Sequence, residues 1–115
     1  MSKFIEVSKI DELKDGTMKA VIVEGREILL ARVEDKYYAV DGRCPHMKGD
    51  LSQGKLEGTV VTCPLHGSQF DISNGRVVRW LKGGLMSKVG KAFKPSKGVA
   101  VYPVKLQDGK VLVEI

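Results

Sequence analysis

A chain of 115 residues and 12.6 kDa has room for one hydrophobic core, not two. With 43% apolar and 29% charged residues, a mean hydropathy of −0.11 and a net charge of +5, its composition excludes a disordered chain. The longest run without Asp, Glu, Lys or Arg, Gly58 to Phe70, contains Pro64 and His66 and falls short of the roughly 20 residues of a membrane helix.

The opening residues, Met1-Ser2-Lys3-Phe4-Ile5-Glu6, show no basic region ahead of an apolar one, so the expectation is a cytoplasmic protein without signal peptide or membrane anchor. Phe4–Val7 alternates as a strand, and Asp11–Asp15 reads as one turn of helix. Met18–Val23 and Arg26–Val33 are strands joined at Glu24-Gly25, and Lys36–Val40 follows Glu34-Asp35 and ends at Asp41-Gly42. Gly58–Thr62, Gln69–Ile72 and Arg76–Val78 come next, the last after a Ser73-Asn74-Gly75 turn. The tail is the clearest hairpin, Val99–Leu106 and Lys110–Ile115 around Gln107-Asp108-Gly109. Some nine short strands predict an all-β protein, a small antiparallel sandwich or barrel. Between Ile72 and Gln107 there is no Asp or Glu, while Arg76, Arg79, Lys82, Lys88, Lys91, Lys94, Lys97 and Lys105 give +8. The basic pI of 9.3 is therefore a local feature.

The scarcest residues carry the chemistry. Both cysteines and both histidines fall in two short groups, Cys44-Pro45-His46 and Cys63-Pro64-Leu65-His66. Two cysteines cannot build a disulfide framework, and with both histidines committed none is left for a Ser-His-Asp triad. A lone buried Cys is usually a small hydrophobe and a lone His usually structural. Two mixed pairs using every Cys and His are hard to reach by chance. Zinc accepts two Cys and two His, but zinc fingers usually place like ligands together. Here each group offers one of each, which suits a two-iron cluster with thiolates on one iron and imidazoles on the other.

C-x-H, 16 residues, then C-x-x-H, with Pro64 and Gly67 around the second pair, resembles the Rieske [2Fe-2S] ferredoxin family. The resemblance extends through Tyr38-Ala39-Val40-Asp41, Leu51-Ser52-Gln53-Gly54 and Gly67-Ser68-Gln69-Phe70-Asp71-Ile72-Ser73-Asn74-Gly75. It implies one [2Fe-2S] cluster with Cys44 and Cys63 on the inner iron and His46 and His66 on the outer one. It implies an all-β base with an inserted cluster-binding subdomain, here a single domain over 1–115 with cluster loops at about 43–71. Gly49 and Leu65 stand where respiratory Rieske proteins carry an extra disulfide, and Phe70 stands where they present a Tyr hydroxyl to a ligand sulfur. Ser68 keeps a hydroxyl that could bond a cluster sulfide. A basic insertion at about 81–97 replaces the short proline-containing loop usual in small members.

Two thiolates and two neutral imidazoles leave the oxidised site uncharged, against −2 for four thiolates. Potentials therefore rise to roughly −150 to +300 mV from about −400 mV, and the missing disulfide and Tyr hydroxyl argue for the lower part. No histidine remains for the mononuclear iron of Rieske oxygenases, so no catalytic residue is expected. The resemblance implies a non-enzymatic electron carrier between a reductase and an acceptor such as an oxygenase. The basic stretch from Arg76 to Lys97 reads, from its charge, as a docking surface for an acidic redox partner, with a solvated loop as the alternative. Other readings are a redox- or iron-sensing module, a reductase small subunit, and a zinc-stabilised basic module using Trp80 and Phe93 on nucleic acid. A colourless, iron-free protein would mark the last; otherwise no nucleic acid is expected. Met47 and Leu65 read as apolar covers over the cluster, Arg43 as solvated, and Asp71 as a turn anchor. Tyr37 and Tyr38 read as one core and one surface residue.

Overall fold

The middle strand has no polar face. In β3 (Arg26–Val33) the consecutive side chains Ile28, Leu29, Leu30 and Ala31 are all fully buried, so both faces of its sheet are covered. Because side chains alternate along a strand, Leu29 and Ala31 enter one core and Ile28 and Leu30 the other. The computed structural model describes residues 3–44, 49–65, 67–79 and 98–115.

Sheet order follows from the turns. β2 (Thr17–Val23), β3 and β4 (Lys36–Asp41) form an antiparallel meander, joined at Glu24-Gly25 and Glu34-Asp35. All four turn residues have positive φ, between 48° and 81°, the primed geometry that matches the twist of tight hairpins. No glycine relieves the second turn, where Arg32 instead donates to the Asp35 carboxylate at 2.7 Å. β9 (Val101–Tyr102) completes this sheet by pairing with β4. A second sheet has β11 (Lys110–Glu114) between β1 (Phe4–Lys9) and β10 (Val104–Gln107). A third is the meander β5 (Lys55–Glu57), β6 (Val60–Thr62), β7 (Gln69–Asp71) and β8 (Val77–Arg79). The β2–β3–β4–β9 sheet is the middle layer.

Two cores separate the layers. One, between the middle sheet and the β1–β11–β10 sheet, holds Val23, Ile28, Leu30, Tyr37, Ala39, Val111 and Val113. The other, facing β5–β8, holds Leu29, Ala31, Val40, Leu51, Val61, Phe70 and Ile72 together with Cys44 and Cys63. Since β4 pairs with β9 at Ala39–Tyr102 and Val40–Val101, the described strands between them in sequence, β5–β8, form an insertion into the base. The expected all-β base with an inserted subdomain is what the chain forms.

Four local readings are corrected. Asp11–Asp15 is turns and bends, not a helical turn: Asp11 has φ 76°, which no helix tolerates, and Leu13 is drawn into the base core. Val99–Leu106 is not one strand. Pro103, which has no N–H to donate, divides it, and β9 pairs with β4 while β10 pairs with β11. Lys55–Glu57 is an additional strand whose alternation is too short to read. Tyr37 and Tyr38 both pack, on opposite faces of the middle sheet, because that sheet has no solvent face here.

Candidate metal centre

Each cysteine sits where a strand gives way to a loop. β4 ends at Asp41, and the chain closes a neck: the Gly42 N–H donates to the Glu27 carbonyl at 2.9 Å, Leu51 N–H to Gly42 carbonyl at 3.0 Å, and Cys44 N–H to Gly49 carbonyl at 2.9 Å. Arg43 and Asp50 form a backbone bridge across it. Asp50 then caps a 3-10 turn, Leu51–Gln53, its carboxylate accepting from the Ser52 N–H at 3.0 Å and hydroxyl at 2.6 Å. The second loop leaves β6 and folds back within five residues. Cys63 N–H donates to the Ser68 carbonyl at 2.7 Å, and Gly67 N–H to the Cys63 carbonyl at 3.2 Å.

The two loops touch. A Cβ added at Gly49 would stand 2.9 Å from Cys63 Sγ and 3.0 Å from Leu65 Cδ1. One at Gly54 would lie 1.9 Å from the Thr62 carbonyl oxygen, so that strand-to-loop crossing admits only glycine. Cys44 and Cys63 are 0% and 1% exposed, are not joined as a disulfide, and share a core with Phe70. Two buried thiols not joined as a disulfide, on loops that approach so closely at Gly49 that a methyl group there would press on Cys63 Sγ, suit a thiolate-held metal group.

The sequence-named residues divide sharply. Cys44 and Cys63 are brought to the meeting loops. His46 and His66 lie outside the described residues, as do Met47 and the basic insertion at 81–97. Leu65 is described, beside Gly49 and 54% exposed, so it forms part of the loop surface. Ser68 and Phe70 are fully buried. Asp71 anchors its turn, accepting from the Ser73 N–H at 2.9 Å and hydroxyl at 2.6 Å, and the Ser73 hydroxyl holds its carboxyl below the usual range.

Three contributors escaped the sequence reading. Arg43 is not merely solvated: Glu27 clasps its guanidinium, and that bond lowers the Glu27 pKa and raises that of Arg43. Asp41 fastens the returning chain to β4, accepting from the Ala100 N–H at 3.0 Å and the Tyr102 hydroxyl at 2.7 Å. Burial, then that Asp41 bond, pushes the Tyr102 hydroxyl pKa up. Asp50 had a readable signal, the Asp-x-Ser spacing of a cap, whereas Glu27 and Asp41 act across strands and leave none.

Among the described residues no helix is long and apolar enough to cross a membrane. A family model described as "Rieske [2Fe-2S] domain" matches residues 3–85. The chain is 32% identical over 113 residues to the ferredoxin component of the naphthalene 1,2-dioxygenase system of Pseudomonas putida, covering 98% of this chain and 96% of that one. The solved ferredoxin of carbazole 1,9a-dioxygenase from Nocardioides aromaticivorans superposes with a TM-score of 0.80 at 26% identity, covering 96% of both chains. The match to a complex of reduced oxygenase and oxidised ferredoxin of carbazole 1,9a-dioxygenase has a TM-score of 0.77 at 26% identity, covering 96% of this chain and 91% of that one.

Proposed function

The chain belongs to the Rieske [2Fe-2S] family, and on that premise we propose that it ferries single electrons from a reductase to an oxygenase or similar redox enzyme. In this reading one Rieske domain over 1–115 holds the cluster with Cys44 and Cys63 on one iron and His46 and His66 on the other. The carrying observation is the pair of buried thiols, not joined as a disulfide, on two loops that meet at Gly49. Cytoplasmic placement and the absence of substrate chemistry of its own belong to the same reading, supported by relatives that are ferredoxin components of oxygenase systems. The carbazole dioxygenase complex, in which a similar ferredoxin meets its oxygenase, supports an oxygenase as acceptor.

When bound, the cluster supplies a centre that takes up and releases one electron, at a potential in the Rieske range of roughly −150 to +300 mV. The chain does the rest. Backbone bonds hold both loops at their cysteines, Cys44 N–H to the Gly49 carbonyl and Cys63 N–H to the Ser68 carbonyl. The fully buried Phe70 ring keeps water from the thiols and offers no hydroxyl to them, which favours the low end of the range. The basic stretch 76–97, mostly outside the described residues, is assigned to steering an acidic partner, because charge steering acts on association rate.

The test is reconstitution of electron flow. Reduced protein mixed with an oxygenase of the naphthalene dioxygenase type should reoxidise by one electron per chain. Reversing Lys88, Lys91 and Lys94 to Glu should slow that step, most at low salt, where screening beyond roughly 10 Å is weakest. A protein that binds iron and sulfide but passes no electron to any such oxygenase or reductase would contradict the carrier reading.

A further inference from the structure

Glu27 reaches the first cysteine loop twice. Its carbonyl accepts the Gly42 N–H at 2.9 Å, and its carboxylate takes the Arg43 guanidinium through Nε and, at 3.1 Å, through Nη2. These are the two residues that precede Cys44. A Cβ at Gly42 would lie 3.1 Å from the Glu27 carbonyl carbon and oxygen, so the close approach of β3 to the loop depends on glycine there. The far side of the neck is held by the Arg43–Asp50 bridge.

A forked pair as exposed as this one, 47% for Arg43 and 42% for Glu27, contributes little to stability. Its charges are another matter. An unmatched guanidinium one residue from Cys44 favours the more negative, reduced state of whatever that thiolate holds, and an unmatched carboxylate favours the oxidised state. The ion pairs Lys3–Glu24, Lys19–Glu12 and Lys110–Glu6 lie on the strands and turns of the base, outside the cysteine loops.

We infer that Glu27 and Arg43 form a charge-matched clasp that positions the Cys44 loop and cancels, at the cluster, the field either charge would exert alone. Glu27 is thus a positioning residue that acts through Arg43. The inference rests on Cys44 being a cluster ligand.

The experiment compares Glu27→Gln, Arg43→Gln and the double variant, each as cluster-loaded protein with its visible spectrum recorded first. Glu27→Gln should raise the reduced-to-oxidised ratio at a fixed poise, on the order of threefold, and Arg43→Gln should lower it by a similar factor. The double variant should return close to the parent, and both single shifts should shrink as salt is added. Arg43→Lys keeps the charge without the fork, so it should hold the parent potential while losing the cluster faster on warming. Single variants that shift in the same direction, or that do not shift with their cluster bands intact, would overturn the clasp. If the glutamine variants emerge without a cluster, Arg43→Lys and Glu27→Asp decide: a parent potential supports the clasp, and a displaced one overturns it. Absence of iron–sulfur bands from the parent itself would overturn the cluster reading and this inference with it. Bands present with potentials unmoved would overturn this inference alone.

Discussion

The two cores on either side of the middle sheet are built on different principles. The base core is aliphatic and aromatic throughout, bordered, apart from the two-residue β9, by strands of four to eight residues and tied at its edge by Arg32, which reaches Asp11, Asp35 and the Leu13 carbonyl. The other core places two cysteines among its apolar residues, and the sheet beside it has strands of only three residues. Short strands bury little surface and close few backbone bonds. On the proposed ligand set, the base would hold itself together by packing, whereas the cysteine side would draw added support from the group its thiols bind.

The widest test of that contrast sets one substitution in each core. Cys63→Ser should abolish iron and sulfide binding, since the chain has no other cysteine besides Cys44 to take its place, yet leave the β-sheet circular dichroism of the base. Leu30→Ala should instead cost about 2–5 kcal/mol of unfolding free energy while the cluster spectrum stays intact below the transition. Full cluster occupancy in Cys63→Ser would break the comparison.

Gly54→Ala sharpens it at the loop. A methyl group 1.9 Å from the Thr62 carbonyl forces the strand end to move, at a cost of about 1–3 kcal/mol. The expected readout is faster bleaching of the visible bands on warming, with the base transition little changed.

Phe70→Tyr probes the electronic side of the same core. A hydroxyl bonding a ligand thiolate, stronger by roughly 1–2 kcal/mol in the reduced state, should raise the potential by about 40–90 mV. An unchanged potential with the cluster present would mean that the ring edge faces away from the thiolates.

The smallest effect belongs to Asp71, largely solvated in its turn. Its carboxyl is held below the ordinary value of 3.8, chiefly by the Ser73 hydroxyl. The stability it adds is complete above that value and is lost as pH falls through the lower folded pKa. Asp71→Asn should therefore lower the neutral plateau of a melting-temperature profile slightly and flatten its acid limb, the variant and parent curves converging at low pH.

Sequence periodicity made the strand order of the central meander and the tail hairpin readable because turn residues such as Glu24-Gly25 and Asp108-Gly109 announce themselves. Pro103 carried the information that splits the strand before that hairpin, but its effect depends on two sheets competing for one segment, which is a tertiary matter. Tyr38 was misread for a related reason. Alternation tells that two faces differ, not that both are covered. At the site, the Cys-Pro pairs pointed to the loops, and the scarcity of Cys and His pointed to the metal. Glu27 and Asp41, which hold the loop and the returning chain, lie on strands where nothing nearby marks a Glu or Asp as anything but a surface charge.

The claim that two thiolates and two imidazoles share one [2Fe-2S] cluster is tested most directly by pulsed electron paramagnetic resonance of the reduced protein. The account predicts a single two-iron signal with nitrogen couplings from two imidazoles, one of which disappears in any His46 variant that still holds the cluster. A two-iron signal without nitrogen couplings, or a colourless protein carrying zinc and no sulfide, would contradict it.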